Sequence, residues 1–414
     1  MPKANHDHDH SGMKKYQRVD PRKSSLYQAV QQHLAEHRSS LSERGANQAR
    51  FIANTFKGYL RCGLLEYGFA RLYCQSCQHS RLIAFSCKQR GICPRCAGRR
   101  MSQSAIRQES EVFPVVPTRQ WVLTLPQQLR TLIAYKSELM TELIELWITS
   151  LRYFYQQRCL PNHPHPPQNY SPDELNTYYS PFHPHDIGAL TSIQRHTDAL
   201  SLFPHLHTIT TDGILYSDEH LGDSTLNTHK PYTKHPKYLK FIPIDVFNIE
   251  DDDLIEILIL FRYRLILRLE RRGYLYTHNP EAPRHERTYT LTWGEEDPRC
   301  DESQSALLDT YLASSKMVRA FGASAGAPLT FDFGEPPTPT IHGHLNVSIN
   351  GFGLHAATEV EADDRDRLIK LCRYVQRPTL AADRLNRLMM DVFITPLNGC
   401  GRMVRRESIL MAQI

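Results

Sequence analysis

The sequence predicts an α+β chain: a helical, cysteine-bearing N-terminal domain followed by a larger region of strands and helices. Three observations predict it. Two C-x2-C pairs, Cys74/Cys77 and Cys93/Cys96, stand near the N-terminus. Upstream, residues 24 to 63 carry apolar side chains three and four apart, the helical period. Downstream, short alternating segments bounded by Pro and Gly interleave with two long helical ones, at 131 to 158 and 252 to 272. With 414 residues, 41% of them hydrophobic and 22% charged, the chain can hold two or three domains and a substantial core. Its formal charge of +5 favours an anionic partner only weakly until the charges are located.

In chain order, residues 1 to 23 are polar and rich in His, Asp and Lys, which predicts a disordered tail. Two helices between 24 and 63 lead into the cysteines, and together they form a first domain over 24 to 110. A strand over "RQWVLTL" stops at Pro126, and a helix follows to about 158. The Pro- and His-rich stretch near 160 to 186 reads as an insertion. Strands at 187 to 198 and 204 to 216 come next. The apolar run at 252 to 272 is broken by Arg262, Arg264 and Arg268, so it predicts a buried helix of a soluble protein, ending at Gly273. Strands near 286 to 293 and 341 to 360 and a helix over 363 to 377, stopped by Pro378, complete a second domain over 111 to 390. The first residues have no apolar core of the signal-peptide kind, which points to the cytoplasm. There, ten cysteines read as metal ligands and free thiols rather than disulfides.

Fifteen residues separate the two C-x2-C pairs, a spacing that lets Cys74, Cys77, Cys93 and Cys96 close on a tetrahedral zinc. Cys62 and Cys87 are left over, as supports of the fold, alternative ligands or ligands of a second ion. From Tyr67 to Gln108 there are eight basic residues (Arg71, Arg81, Lys88, Arg90, Arg95, Arg99, Arg100, Arg107) and no acidic one. Four thiolates on a zinc leave this excess in place, so a phosphate backbone is the natural partner; a solvated basic face is the alternative. Lys88, Arg90, Arg95, Arg99 and Arg100 are the candidate contacts.

Several His-x-His triplets occur. Those at 6/8/10, 163/165 and 183/185 lie in polar or Pro-rich sequence; His205/His207 and His342/His344 fall on strand-like segments. A strand sends i and i+2 to one face, so either of these pairs can present two imidazoles to one ion, or be two polar residues on a wet face.

"GALTSIQRHTDALSLFPHLHTITTDGIL", "RCGLLEYGFARLYCQSCQHSRLIAFSCKQRGICPRCAGRRM", "RQWVLTLPQQLR" and "LCRYVQRPTLAADRL" resemble, in order, the signature blocks of transposases of the insertion sequence 91 family. These are rolling-circle enzymes of the HUH endonuclease type, and the resemblance runs from about residue 25 to 388. It implies an HUH domain whose central antiparallel sheet is flanked by helices. It also implies that His205 and His207 hold magnesium or manganese, with His342/His344 a decoy. A third ligand would come from His355, Asp212 or Gln376. The resemblance makes Tyr374, in "KLCRYVQRP", the nucleophile that cuts single-stranded DNA.

On a helix, Leu368, Leu371, Cys372 and Val375 form the apolar face, and Arg367, Lys370, Tyr374 and Arg377 the other. A phenol is a weak nucleophile at neutral pH, and nearby cations such as Arg373 and Arg377, with a polarised phosphate, are the usual remedy. Otherwise Tyr374 is a surface tyrosine packed on arginine stems. Two departures from the family stand out. Lys370 replaces the second tyrosine that some members carry, which implies a one-tyrosine mechanism. Residues 391 to 414 do not resemble the family's continuation, which suggests a truncated copy. The reading is therefore a transposase that nicks and rejoins single-stranded DNA at transposon ends and in target DNA through a 5′-phosphotyrosine. Its structural cofactor is zinc, and its catalytic one magnesium or manganese. The alternatives are a non-catalytic zinc-dependent DNA-binding protein and a plasmid replication initiator or relaxase.

Overall fold

A computed structural model describes residues 20–43, 50–88, 93–160, 185–196, 202–217, 239–244, 249–281, 287, 289–291, 330–331, 338–377, 386–387, 393–397 and 400–404. The expected tail before residue 20, most of the 160 to 186 insertion, and residues 405 to 414 lie outside these. The chain divides into two units, Met1–Gly98 with Leu380–Ile414, and Arg99–Thr379.

In the first unit, α1 (Ser25–Glu43) and α2 (Arg50–Arg61) pack through Tyr27 and Tyr59, whose ring centroids lie 6.2 Å apart. Leu26, Val30, Leu34 and Phe56 are also buried. An antiparallel hairpin follows, β1 (Phe69–Tyr73) and β2 (Ser80–Ala84). Its base closes through Gly63 N–H to Phe85 O at 2.9 Å and Phe85 N–H to Gly68 O at 3.0 Å. Gly68 sits at φ +108, and a Cβ there would come within 2.7 Å of the Phe85 ring, so only glycine fits. The unit boundary falls within α3 (Pro94–Arg107).

The second unit is built on a six-stranded antiparallel sheet. Its strands are β3 (Thr118–Thr124), β5 (Ala189–His196), β6 (Leu202–Thr211), β12 (Pro339–Gly343), β13 (Asn346–Ile349) and β14 (Phe352–Val360), in the order β12-β13-β14-β3-β6-β5. Register puts Leu354, Leu123, Leu206 and Ile193 in one row across four strands. That face packs with Trp121 under α4 (Gln127–Tyr135), α5 (Ser137–Cys159) and α6 (Asp251–Arg271). The opposite face packs Ile209 and Val360 against Leu368, Leu371, Cys372 and Val375 of α7 (Arg365–Val375). The expected α+β class with a large antiparallel sheet and flanking helices is what the structure has.

Three differences from the sequence reading have physical reasons. The helix expected from 131 to 158 is two helices, broken at Lys136 in extended conformation. Ile133 and Leu139 both face the core, yet six residues of unbroken helix rotate by about 240°; the break restores the phase. The strand expected from 204 to 216 ends at Thr211, and β7 (Gly213–Ser217) leaves for a small sheet with β4 (His185–Asp186) and β8 (Leu239–Pro243), while β9 (Leu275–Thr277), β10 (Tyr289–Leu291) and β11 (Thr330–Phe331) form another. The switch is at Gly213, where a Cβ would come within 2.7 Å of the Phe241 ring. Residues 341 to 360 form strands joined by tight turns, one of them Asn350-Gly351 at φ +48 and +82. Two arginines of α6 are held by pairing: buried Arg264 donates to Ser150 Oγ at 3.1 Å, and half-buried Arg268 to Glu142 at 2.9 Å. Among the described residues no helix is long and apolar enough to cross a membrane.

Candidate functional site

Strand alternation gives β6 two unlike faces. Thr208 and Thr210 point into the main core, where their hydroxyls accept from the indole N–H of Trp147 and Trp121, each at 3.0 Å. His205, His207 and Ile209 point to the α7 face. The two imidazole centroids are 5.0 Å apart. His205 Nδ1 lies 2.7 Å from Phe203 O; a carbonyl only accepts, so Nδ1 carries the proton and Nε2 keeps its lone pair. His207 Nδ1 lies 2.8 Å from the side-chain amide nitrogen Nε2 of Gln120, and His207 Nε2 is buried with no hydrogen-bond partner among the described residues. As placed, the Gln120 amide nitrogen donates to Nδ1, which leaves the proton of the neutral ring on Nε2; a 180° turn of the amide brings its oxygen to Nδ1 and frees the Nε2 lone pair for a metal.

Electrostatics keep both rings neutral. Burial, then the neighbouring His205 and Arg377, pull His207 down to about 3. Burial also lowers His205, against the Phe203 carbonyl, which raises it. Neutral imidazoles held by Nδ1 with Nε2 open are in the state that ligates metal. An unpartnered buried nitrogen costs free energy unless something occupies it, so the residues present fit a divalent cation.

Tyr374 lies over this pair. Its ring meets His207 edge to face, with centroids 5.7 Å apart at 89°. The Arg377 guanidinium stacks 4.8 Å from the phenol centroid. Tyr374 remains 45% exposed, whereas Leu368, Leu371, Cys372 and Val375 are buried as the helix periodicity predicts. The helix is fixed at both ends. Asp364 accepts from Arg367 N–H at 3.0 Å and Arg365 pairs with Glu109 at 2.7 Å. At the far end the Gln194 side chain donates to Val375 O at 3.3 Å. Arg373 is exposed on the same helix.

None of the three proposed third ligands joins the histidines. His355 shares a row with His207 across Val122 of β3, but among the described residues it forms no three-ligand group with the two histidines. Asp212 is engaged elsewhere: Arg119 binds it through Nε at 3.1 Å and Nη2 at 2.7 Å, and Tyr155 donates to it at 2.8 Å. Gln376 donates to Gln108 Oε1 at 2.6 Å and Cys372 O at 2.9 Å. Gln120, which the sequence reading missed, is the side chain found beside His207. His342 is exposed and bonds Ser348 at 2.7 Å, and His344 lies past the end of β12, so that pair does not converge.

The cysteines assemble differently from the spacing argument. Cys93 and Cys96, at the start of α3, meet Cys62, at the end of α2, and Cys87; all four ligand atoms lie within 4.8 Å of one another. The Cys62–Cys96 sulfurs are 3.5 Å apart, Cys62–Cys93 3.6 Å and Cys87–Cys96 3.7 Å. Tetrahedral zinc with Zn–S near 2.3 Å requires sulfurs about 3.8 Å apart. Cys74 and Cys77 are not in this cluster; they are exposed in the turn of the hairpin. The reason is local: the closed base of the hairpin brings Cys87 back to the end of α2, where its N–H bonds Cys62 Sγ at 3.3 Å. Hydrogen bonds from Cys87 and Cys93 pull the Cys62 thiol down, while its bond to Cys62 together with burial pushes Cys93 up. Four thiolates cannot coexist here without a cation, and a dication resolves the conflict.

Residues 29–125 match the family described as transposase zinc-binding domain. The chain carries a transposase zinc-binding domain. This match supports the insertion sequence 91 transposases as its family and, with the four-cysteine cluster, structural zinc. It also makes DNA the partner that the family implies. Neither a curated protein nor a solved structure matches the chain. Of the basic residues in the matched segment, Lys88, Arg95, Arg99 and Arg100 are exposed, and Arg90 lies outside the described residues.

Proposed function

We propose that the protein is a metal-dependent HUH transposase that nicks and rejoins single-stranded DNA with Tyr374 as nucleophile, in rolling-circle transposition. The observation that carries this reading is the Tyr374 phenol packed on His207, whose buried Nε2 has no hydrogen-bond partner among the described residues.

His205 and His207 would hold magnesium or manganese through Nε2, with water or substrate oxygen completing a hard-cation shell. Such an ion, when bound, polarises the scissile phosphate. The chain's own residues do the rest. The sheet holds the two imidazoles neutral and orients each through a contact at Nδ1. The α7 seam aims the phenol at the same face, and Arg377 stacks over its ring. Attack by the phenol oxygen on phosphorus breaks the P–O3′ bond, releases a 3′-hydroxyl and leaves a 5′-phosphotyrosine. The bond energy is retained in that ester, so a 3′-hydroxyl can reverse the attack on another strand without ATP. Tyr155 cannot substitute: it is fully buried on the other face of the sheet and its phenol is held well above its usual pKa by burial.

The test is a labelled single strand incubated with manganese. The wild type should give a protein–DNA adduct that survives denaturation, and Tyr374→Phe should not, while still binding DNA. An adduct that persists in Tyr374→Phe would defeat the assignment. The second reading, a non-catalytic zinc-dependent DNA-binding protein, predicts no adduct in either.

A further inference from the structure

The β1–β2 hairpin buries almost nothing. All five residues of β1 and the middle three of β2 are exposed, although the pair carries Phe69, Leu72, Tyr73, Leu82 and Ile83. A two-stranded ribbon is marginal by itself, and large apolar side chains held in water mark a contact surface. Register divides them. One face carries Phe69, Arg71 and Tyr73, opposite Ala84, Leu82 and Ser80; the other carries Ala70, Leu72, Arg81 and Ile83.

The first face therefore presents aromatic, guanidinium, aromatic at successive i+2 positions, about 6.7 Å per step. Phe69 is 48% and Tyr73 54% exposed, and Arg71 sits 6.0 Å from the Tyr73 ring. No acidic residue occurs between Tyr67 and Gln108, so the whole segment repels cations and attracts a polyanion. A protein core or an apolar partner helix would use the rings but leave Arg71 unpaired. A duplex would use the charge but not the rings, because its bases are stacked on each other. Unpaired bases on a phosphate backbone use both.

We propose that Phe69, Arg71 and Tyr73 form a base-stacking platform for single-stranded DNA, Phe69 and Tyr73 each taking the face of a nucleobase and Arg71 the backbone or base between them. This deepens the proposed function and rests on DNA being the partner, not on the chemistry of Tyr374. The platform's two rings add a hold on the strand that is insensitive to salt, beside the salt-sensitive hold of Arg71 and the exposed arginines of α3.

The experiment uses the full zinc-loaded chain carrying Tyr374→Phe, without magnesium or manganese, and a fluorescein-labelled oligothymidine read by anisotropy. Phe69→Ala and Tyr73→Ala should each weaken binding roughly tenfold, the scale of one stacked base. The slope of affinity against salt should not change, and duplex binding should hardly move. Tyr73→Trp should keep the affinity, and its added emission should be quenched by the oligonucleotide. Unchanged single-strand affinity in the double alanine variant overturns the proposal. So does Tyr73→Trp emission indifferent to saturating DNA, or a double variant that alters only self-association, which would make the face a contact between copies. Loss of the platform with adduct formation intact in the parent chain would leave the Tyr374 reading standing, and the reverse result would leave the platform standing.

Discussion

Replacing Cys62 by Ser is the sharpest perturbation of the zinc site, because Cys62 is the ligand that the C-x2-C spacing does not indicate. It lies within 3.5 to 3.6 Å of two other sulfurs and accepts the Cys87 N–H. A structural zinc site is worth about 10–16 kcal/mol, so one of four thiolates carries on the order of 3 kcal/mol, about a hundredfold in zinc affinity. Cys74, exposed and outside the cluster, should carry none of it. The assay is competition with a chromogenic chelator on the wild type, Cys62→Ser and Cys74→Ser, alongside metal content by mass spectrometry. Cys62→Ser should surrender zinc at a chelator concentration roughly a hundredfold lower, and Cys74→Ser should track the wild type. If Cys74→Ser loses zinc as readily as Cys62→Ser, the cluster of Cys62, Cys87, Cys93 and Cys96 is not the site.

Three further outcomes follow from particular contacts. Arg119→Met strands the buried Asp212 carboxylate, which Arg119 holds through Nε and Nη2; urea unfolding should show a loss of about 3–5 kcal/mol, and a loss below about 1 kcal/mol would mean the charge is solvated. Gln120→Leu should raise the manganese concentration needed for cleavage at least tenfold, as lost ligand-orienting contacts do, while Gln120→Glu should restore it; equal defects in both would make Gln120 a mere spacer. His207 has a folded pKa below its unfolded value, so its contribution to stability is complete above about 6.5 and is lost as pH falls toward about 3. Over that window wild-type stability should fall more steeply than that of His207→Gln, by up to about 1.4 kcal/mol per pH unit, and parallel curves would show that the ring is already protonated.

What the sequence revealed was whatever has a period or a local signature. The alternation of "PHLHTIT" places His205 and His207 together on one face of β6, and the three- and four-residue spacing in "LIKLCRYVQR" places Tyr374 away from the buried side of α7. Two kinds of fact escaped. Contacts between distant segments have no signature, so Gln120, 87 positions from His207, was invisible. The two C-x2-C pairs are each legible, but which sulfurs meet is decided by the hydrogen bonds that tie Phe85 to Gly63 and Gly68. The Asn350-Gly351 turn does have a local signature, since that dipeptide between apolar runs marks a two-residue hairpin. The break at Lys136 was also readable, as a slip in helical phase between Ile133 and Leu139.

The seam that seats α7 also governs when the site comes into being. His207 and Tyr374 are 167 positions apart in the chain, and β14, which borders β3 in the sheet, lies only just before α7. On a ribosome adding about 5–20 residues per second, roughly ten to thirty seconds pass between the emergence of the histidines and that of the phenol. During that interval the nascent chain holds the two imidazoles without Tyr374, the proposed nucleophile. On the proposed reading, the site is thus incomplete until β14 has joined the sheet and α7 has docked.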